Sequence, residues 1–258
     1  VTLVTSADGT SISYSEQGDG AVVVIVSGAL STAADAAPLA AALTDAGYRA
    51  VTYDRRARGS SGDRRGSTPE NEAEDLATVI GAVGGEASVL GHSSGAILAL
   101  FAASLGVPVS RLFLSEPPFR FGVDEPADDL GARLQQFVDD GKGEDAIVTF
   151  QLEGIGLPQE MVDGFRASPQ FASVVPVAQS TVYDVALTRQ VSTPTAGMLA
   201  VSQPVTILRG EQTFPILVTA ADRLAAQMPD AEYVIVPESV MHRPDPAATA
   251  RVVDERMG

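Results

Sequence analysis

The chain has 258 residues, 33 acidic against 17 basic side chains, a net charge of −16, 45% hydrophobic residues and no cysteine. The missing cysteine excludes disulfides, thiolate metal sites and cysteine nucleophiles. The acidic balance argues against nucleic acid or an anionic membrane surface as partner and leaves a small-molecule substrate.

The length suits a single α/β domain with an insertion as well as it suits two domains. No apolar run approaches the roughly 20 residues of a membrane span. No basic stretch leads into an apolar one at the N-terminus, so the cytoplasm is the expected location. Nothing in the composition speaks to oligomeric state.

Residues 2–6 and 11–16 flank the turn signal Asp8-Gly9 and predict a β-hairpin. The run Ala21-Val22-Val23-Val24-Ile25-Val26 is apolar without alternation, as in a strand buried on both faces of a mostly parallel sheet. Residues 31–46 are rich in Ala and Leu and stop before Gly47, which suits a helix with a glycine at its C-cap. A strand over 48–53 leads into the polar loop Asp54-Arg55-Arg56-Ala57-Arg58-Gly59-Ser60-Ser61-Gly62. Leu76, Val79, Ile80 and Val83 lie at i, i+3, i+4 and i+7, one face of a helix.

A strand over 87–91, a helix over 94–105 and a strand over 111–115 follow. Two more strands, 204–209 and 233–236, bracket a helix over 216–228, and a last helix covers about 247–256. This alternation predicts an α/β fold, a doubly wound, mostly parallel sheet of about eight strands. Between 117 and 203 no strand pattern appears. Helix-like stretches broken at Gly122, Gly141, Gly154, Pro158, Pro169 and Pro194 predict a helical cap inserted after the sixth strand. The expected domains are a core of 1–116 and 204–258 and a cap of 117–203.

Gly91-His92-Ser93-Ser94-Gly95 fits the nucleophile-elbow pattern G-x-S-x-G. The pattern needs a strand that turns sharply into a helix, with small residues two before and two after the serine so that the backbone passes without collision. The predicted strand before Ser93 and helix after it supply that context. A serine nucleophile needs a base, and the chain has two histidines. His92 is expected to point away from Ser93, as strand neighbours do. His242 follows the last strand and precedes the closing helix, which makes it the candidate base.

These elements together resemble the α/β-hydrolase family from end to end. The shared parts are the opening hairpin, Val26-Ser27-Gly28-Ala29 after the third strand, the 53–59 segment, the elbow and the terminal histidine. The resemblance implies an oxyanion hole made by the backbone N–H groups of Ala29 and Ser94. With no metal-ligand cluster and no Gly-x-Gly-x-x-Gly fingerprint in the sequence, neither a metal nor an organic cofactor is expected.

Three departures from the family pattern stand out. Ser27-Gly28 replaces a frequent His-Gly, and Met241 precedes His242 where glycine is common. In Gly210-Glu211-Gln212-Thr213, threonine occupies the usual position of the triad acid, and a neutral hydroxyl cannot stabilise an imidazolium as a carboxylate does. Glu116, at the end of the preceding strand, is the favoured substitute, a placement that certain haloalkane dehalogenases of this fold resemble. Glu211 is the fallback, and Asp245 lies very close to His242 in sequence.

The catalytic set expected is therefore Ser93, His242 and Glu116. A serine forms an acyl ester, so a carboxylic ester or lactone is the first substrate class. A cap rich in Phe (Phe119, Phe121, Phe137, Phe150, Phe165, Phe171) and including Tyr183 suggests a small, largely apolar substrate. Two alternatives remain open. One is a non-ester reaction on the same machinery, such as C–C bond hydrolysis, perhydrolysis, or a lyase or cyclase step. The other is an inactive ligand-binding homologue.

Overall fold

In the computed structural model, which describes residues 1–258, β1 (Thr2–Thr5) and β2 (Ser11–Gln17) form the antiparallel hairpin, with Thr2 opposite Tyr14. The apolar run becomes β3 (Val22–Val26), four of its five residues buried. A 3₁₀ turn (Ala33–Ala36) enters α1 (Ala37–Asp45), which stops before Gly47 at φ 94°. β4 (Arg49–Tyr53) is followed by α2 (Pro69–Val83), whose Thr68 N-cap and Asn71 form a capping box. Then come β5 (Ala87–His92), α3 (Ser94–Ser104) and β6 (Val109–Ser115).

The chain between β6 and β7 is helical: α4 (Leu130–Asp139), α5 (Gly143–Thr149), α6 (Gln159–Arg166), α7 (Phe171–Val174), α8 (Ala178–Gln190) and α9 (Ala196–Leu199). A π-helical turn (Phe150–Ile155) extends α5. The core resumes with β7 (Val205–Gln212), α10 (Pro215–Gln227), β8 (Glu232–Val240) and α11 (Pro246–Met257).

The eight strands run in the order β1-β2-β4-β3-β5-β6-β7-β8. Pairing is antiparallel for β1–β2 and β2–β4 and parallel from β4 through β8. α1 and α11 close one face over Leu39, Leu43, Val252 and Val253. α2, α3 and α10 close the other in the larger core. Helix α3 runs apolar on every side and is buried from Ser94 to Ala103, as a helix between sheet and insertion must be.

The inserted helices form a third cluster of their own around Leu130, Leu134, Ile147, Phe150 and Val185. Ala29 and Leu30 from the loop after β3 pack against it. No helix is long and apolar enough to cross a membrane. Because the strands from β3 to β8 are parallel, their C-terminal ends share one edge, where open α/β sheets hold ligands.

Candidate active site

Ser93 sits between β5 and α3 at φ 55° and ψ −127°, a backbone region that costs a non-glycine residue on the order of 1–3 kcal/mol. The surroundings hold it there. Its N–H donates to Ser115 O at 2.9 Å, tying the turn to the end of β6. The two flanking glycines are steric necessities. A Cβ on Gly91 would lie 2.5 Å from Ala96 Cα, and one on Gly95 would lie 2.1 Å from Val26 O. Gly28 is equally constrained, since a Cβ there would sit 2.8 Å from Ser93 Cβ. Five of the eight non-glycine residues with positive φ, Leu30, Ser93, Glu116, Met241 and His242, lie in the loops at this sheet edge.

Glu116 follows β6, and its N–H donates to Leu208 O at 2.9 Å. It is only 3% exposed. Its Oε2 lies 2.5 Å from Nδ1 of His242, and its Oε1 accepts from the Gly210 N–H at 2.9 Å. Burial opposes ionisation of this carboxyl. The hydrogen bonds from His242 and Gly210 outweigh it and hold the group below its ordinary range, with the nearby Thr213 hydroxyl acting in the same direction.

Among the three acids considered, only Glu116 is on the imidazole. Glu211 is exposed. Asp245 caps α11, accepting from Ala248 N–H at 2.8 Å. Thr213 Oγ1 is buried without a hydrogen-bond partner.

His92 departs from expectation. Its ring stacks on His242, centroids 4.5 Å apart and planes at 41°, and both rings line the cavity that Ser93 lines. Strand alternation ends where Ser93 turns left-handed, so His92 is not forced to the opposite side. Burial, reinforced by the neighbouring His242, pushes the His92 imidazole down to about 3 and keeps it neutral. No hydrogen bond joins Ser93 Oγ to either imidazole in this structure.

The cavity has a volume of about 500 Å³, within the usual range of small-molecule sites. Ala29 and Ser94 line it, and neither backbone N–H donates within the protein. The π-helical turn contributes Phe150, Gln151, Gly154 and Ile155. Of the insertion's aromatic set only Phe150 reaches the cavity; Phe119, Phe121, Phe171 and Tyr183 are buried in packing. No group of His, Cys, Asp or Glu side chains is arranged to hold a metal ion.

A buried ion network that no sequence motif marks lies beneath the cavity. Arg55 makes two 2.8 Å bonds to Glu72 and one of 3.0 Å to Asp184 on α8. Arg58 reaches the other Asp184 oxygen at 2.6 Å and donates to Gly28 O at 2.5 Å. Ser94 Oγ donates to Asp184 at 2.8 Å. All four charged side chains are at most 2% exposed, which only mutual pairing permits. The arginines stand in a loop that reads as polar. Asp184 carries no motif, and its partner Arg55 lies 129 residues away.

A model of the alpha/beta hydrolase family matches residues 23–253. The chain is similar over its full length to an alpha/beta hydrolase from Sphaerobacter thermophilus DSM 20745. The two are 38% identical, with a TM-score of 0.92 and complete coverage of both chains. A hydrolase from Pseudomonas aeruginosa PA01 shares the fold at 20% identity and a TM-score of 0.75, covering 100% of this chain and 98% of that one. The enol-lactonase from Burkholderia xenovorans LB400 does so at 18% identity and a TM-score of 0.71, with 98% of each chain covered. No curated protein sequence matches the chain.

Proposed function

The chain belongs to the alpha/beta hydrolase family, and from that premise we propose that it is a serine hydrolase cleaving a carboxylic ester or lactone of a small, largely apolar substrate. The observation that carries this reading is the pairing of His242 Nδ1 with a buried, ionised Glu116 beside the cavity that Ser93 lines. A carboxylate on Nδ1 fixes the imidazole so that Nε2 is free to take a proton.

Ser93 Oγ attacks the carbonyl carbon while His242 accepts its proton. The Ala29 and Ser94 N–H groups hold the developing oxyanion, each donor contributing about 3–4 kcal/mol. His242 then protonates the leaving alkoxide, leaving an acyl ester on Ser93. Water, deprotonated by His242, attacks that ester and releases the acid. Ser93 and His242 must meet when substrate fills the cavity; such contacts are often long in free enzymes. Residues 117–203 act as the cap that closes over this chemistry.

Hydrolysis of short-chain p-nitrophenyl esters and simple lactones tests the proposal. Ser93→Ala is expected to abolish turnover. Glu116→Gln should lower kcat by about 10²–10⁴, and Thr213→Ala should change it little. Unimpaired turnover in Ser93→Ala, or a silent Glu116→Gln, would refute the assignment.

A further inference from the structure

The cavity wall carries a charge pattern opposite to that of the chain. Acidic side chains outnumber basic ones by 33 to 17, yet the charged residues lining the cavity are Arg120, Arg243 and Asp184. Asp184 is already neutralised by Arg55 and Arg58.

Neither Arg120 nor Arg243 has a carboxylate within ion-pair distance, unlike most basic side chains here. Arg120 is held by main-chain carbonyls instead: Asp124 O, Gly154 O at 2.6 Å and Ile155 O at 3.2 Å. Those last two belong to the π-helical turn that lines the cavity. Asp124 and Glu125 are the acids whose field reaches Arg120, and Ser192 already engages Glu125. Burial still outweighs them, so the guanidinium lacks the anion it would gain most from. Arg243 directly follows His242, and its side chain makes no ion pair or hydrogen bond.

A guanidinium held in a fixed orientation, with donors those carbonyls leave unused, is well suited to bind a carboxylate by charge-assisted hydrogen bonding. Much of the remaining wall is apolar, with Phe150, Leu157, Met161, Phe214, Ile216 and Leu217, alongside the polar Ser31, Gln151 and Thr188. We propose that Arg120, together with Arg243, recognises a carboxylate on the substrate, so that the ester or lactone cleaved at Ser93 is an anion with an apolar body. The inference rests on the ester or lactone reading above and narrows it.

Binding and turnover separate the two ideas. Ser93→Ala would be titrated calorimetrically with monomethyl glutarate and with dimethyl glutarate. In parallel, wild-type kcat/KM would be measured for mono-p-nitrophenyl glutarate and p-nitrophenyl butyrate. The monoanion is expected to bind at least about tenfold more tightly than the neutral diester, with the preference weakening as salt is added. Arg120→Gln and Arg243→Gln should each lower the anion-to-neutral ratio, chiefly through KM, and Arg120→Lys should restore part of it. Arg120→Gln removes three carbonyl contacts. If it fails to fold, Arg243→Gln, whose side chain makes none, carries the test.

Equal binding of the two esters, undetectable binding of the monoanion, or a preference that survives both glutamine variants overturns the inference. Turnover of both p-nitrophenyl esters without preference overturns it while leaving ester hydrolysis standing. A binding preference with no ester turned over leaves the anion site and refutes the reaction.

Discussion

Glu116 meets the imidazole of His242 from the end of β6. The family location after β7 holds a buried hydroxyl without a partner, while Glu116, one strand over, reaches His242. The extra methylene of glutamate and the N–H donated by Gly210, where a Cβ would lie 2.4 Å from Ser239 O, make the arrangement fit.

His92, stacked on the same imidazole, gives the residue scale its pH dependence. Folded, it stays neutral down to about pH 3, whereas an unfolded imidazole takes its proton near 6.5. Between those values the unfolded chain binds more protons, so this residue's contribution to stability falls as pH falls from 6.5 toward 3. The Glu116 carboxyl, also shifted downward, contributes stability that is fully present above its ordinary 4.5 and is lost only as pH drops below it. Urea unfolding at pH 7.5 and pH 5.0 therefore isolates the imidazole. His92→Gln should lose less stability between the two than wild type. An equal loss in both would remove His92 as the cause.

Among the elements, α8 is joined to the core by charge rather than by apolar burial alone. Asp184 is the only carboxylate within ion-pair distance of Arg58, and Arg58 in turn grips Gly28 O in the loop after β3. Removing one partner of a buried pair leaves an uncompensated charge, at a cost of about 3–5 kcal/mol. Asp184→Asn is expected to destabilise the protein by that amount in denaturant unfolding, whereas a loss below about 1 kcal/mol would mean the network is wet and weak.

The elements themselves were legible because each strand pattern is local: β3 is a continuous apolar run, and the helices carry 3.6-residue periodicity. β8 runs from Glu232 to Val240, longer than its apolar pattern over 233–236. Pro237 and Glu238 interrupt its apolar pattern, yet its ladder with β7 continues past a register shift between Gly210 and Gln212. The ion network was illegible for the opposite reason. Its chemistry is set by pairs far apart in sequence, and an arginine in a Gly/Ser-rich loop looks solvated until its partners are known.

At the scale of the whole molecule, one topological fact gathers the site. β3, β5, β6, β7 and β8 are consecutive neighbours running parallel, so the loops after β3, β5, β6 and β8 meet at one edge. Ala29, Ser93, Glu116 and His242 come from those four loops. Alternation of strands and helices predicts that edge; the G-x-S-x-G pattern nominates Ser93, the position after the last strand nominates His242, the strand end nominates Glu116, and the family resemblance supplies Ala29. The stacking of His92 on His242 and the unpaired arginines needed coordinates, because both depend on where side chains turn after the strands end.

On the proposed mechanism, Ser93 is activated by a histidine that Glu116 holds. The most direct test is labelling with a fluorophosphonate, which phosphonylates only an activated serine, in wild type and Ser93→Ala, with the adduct mapped by mass spectrometry. A single adduct on Ser93, absent from the variant, is the predicted result. A folded wild type that takes no label, or takes it elsewhere, would contradict the claim.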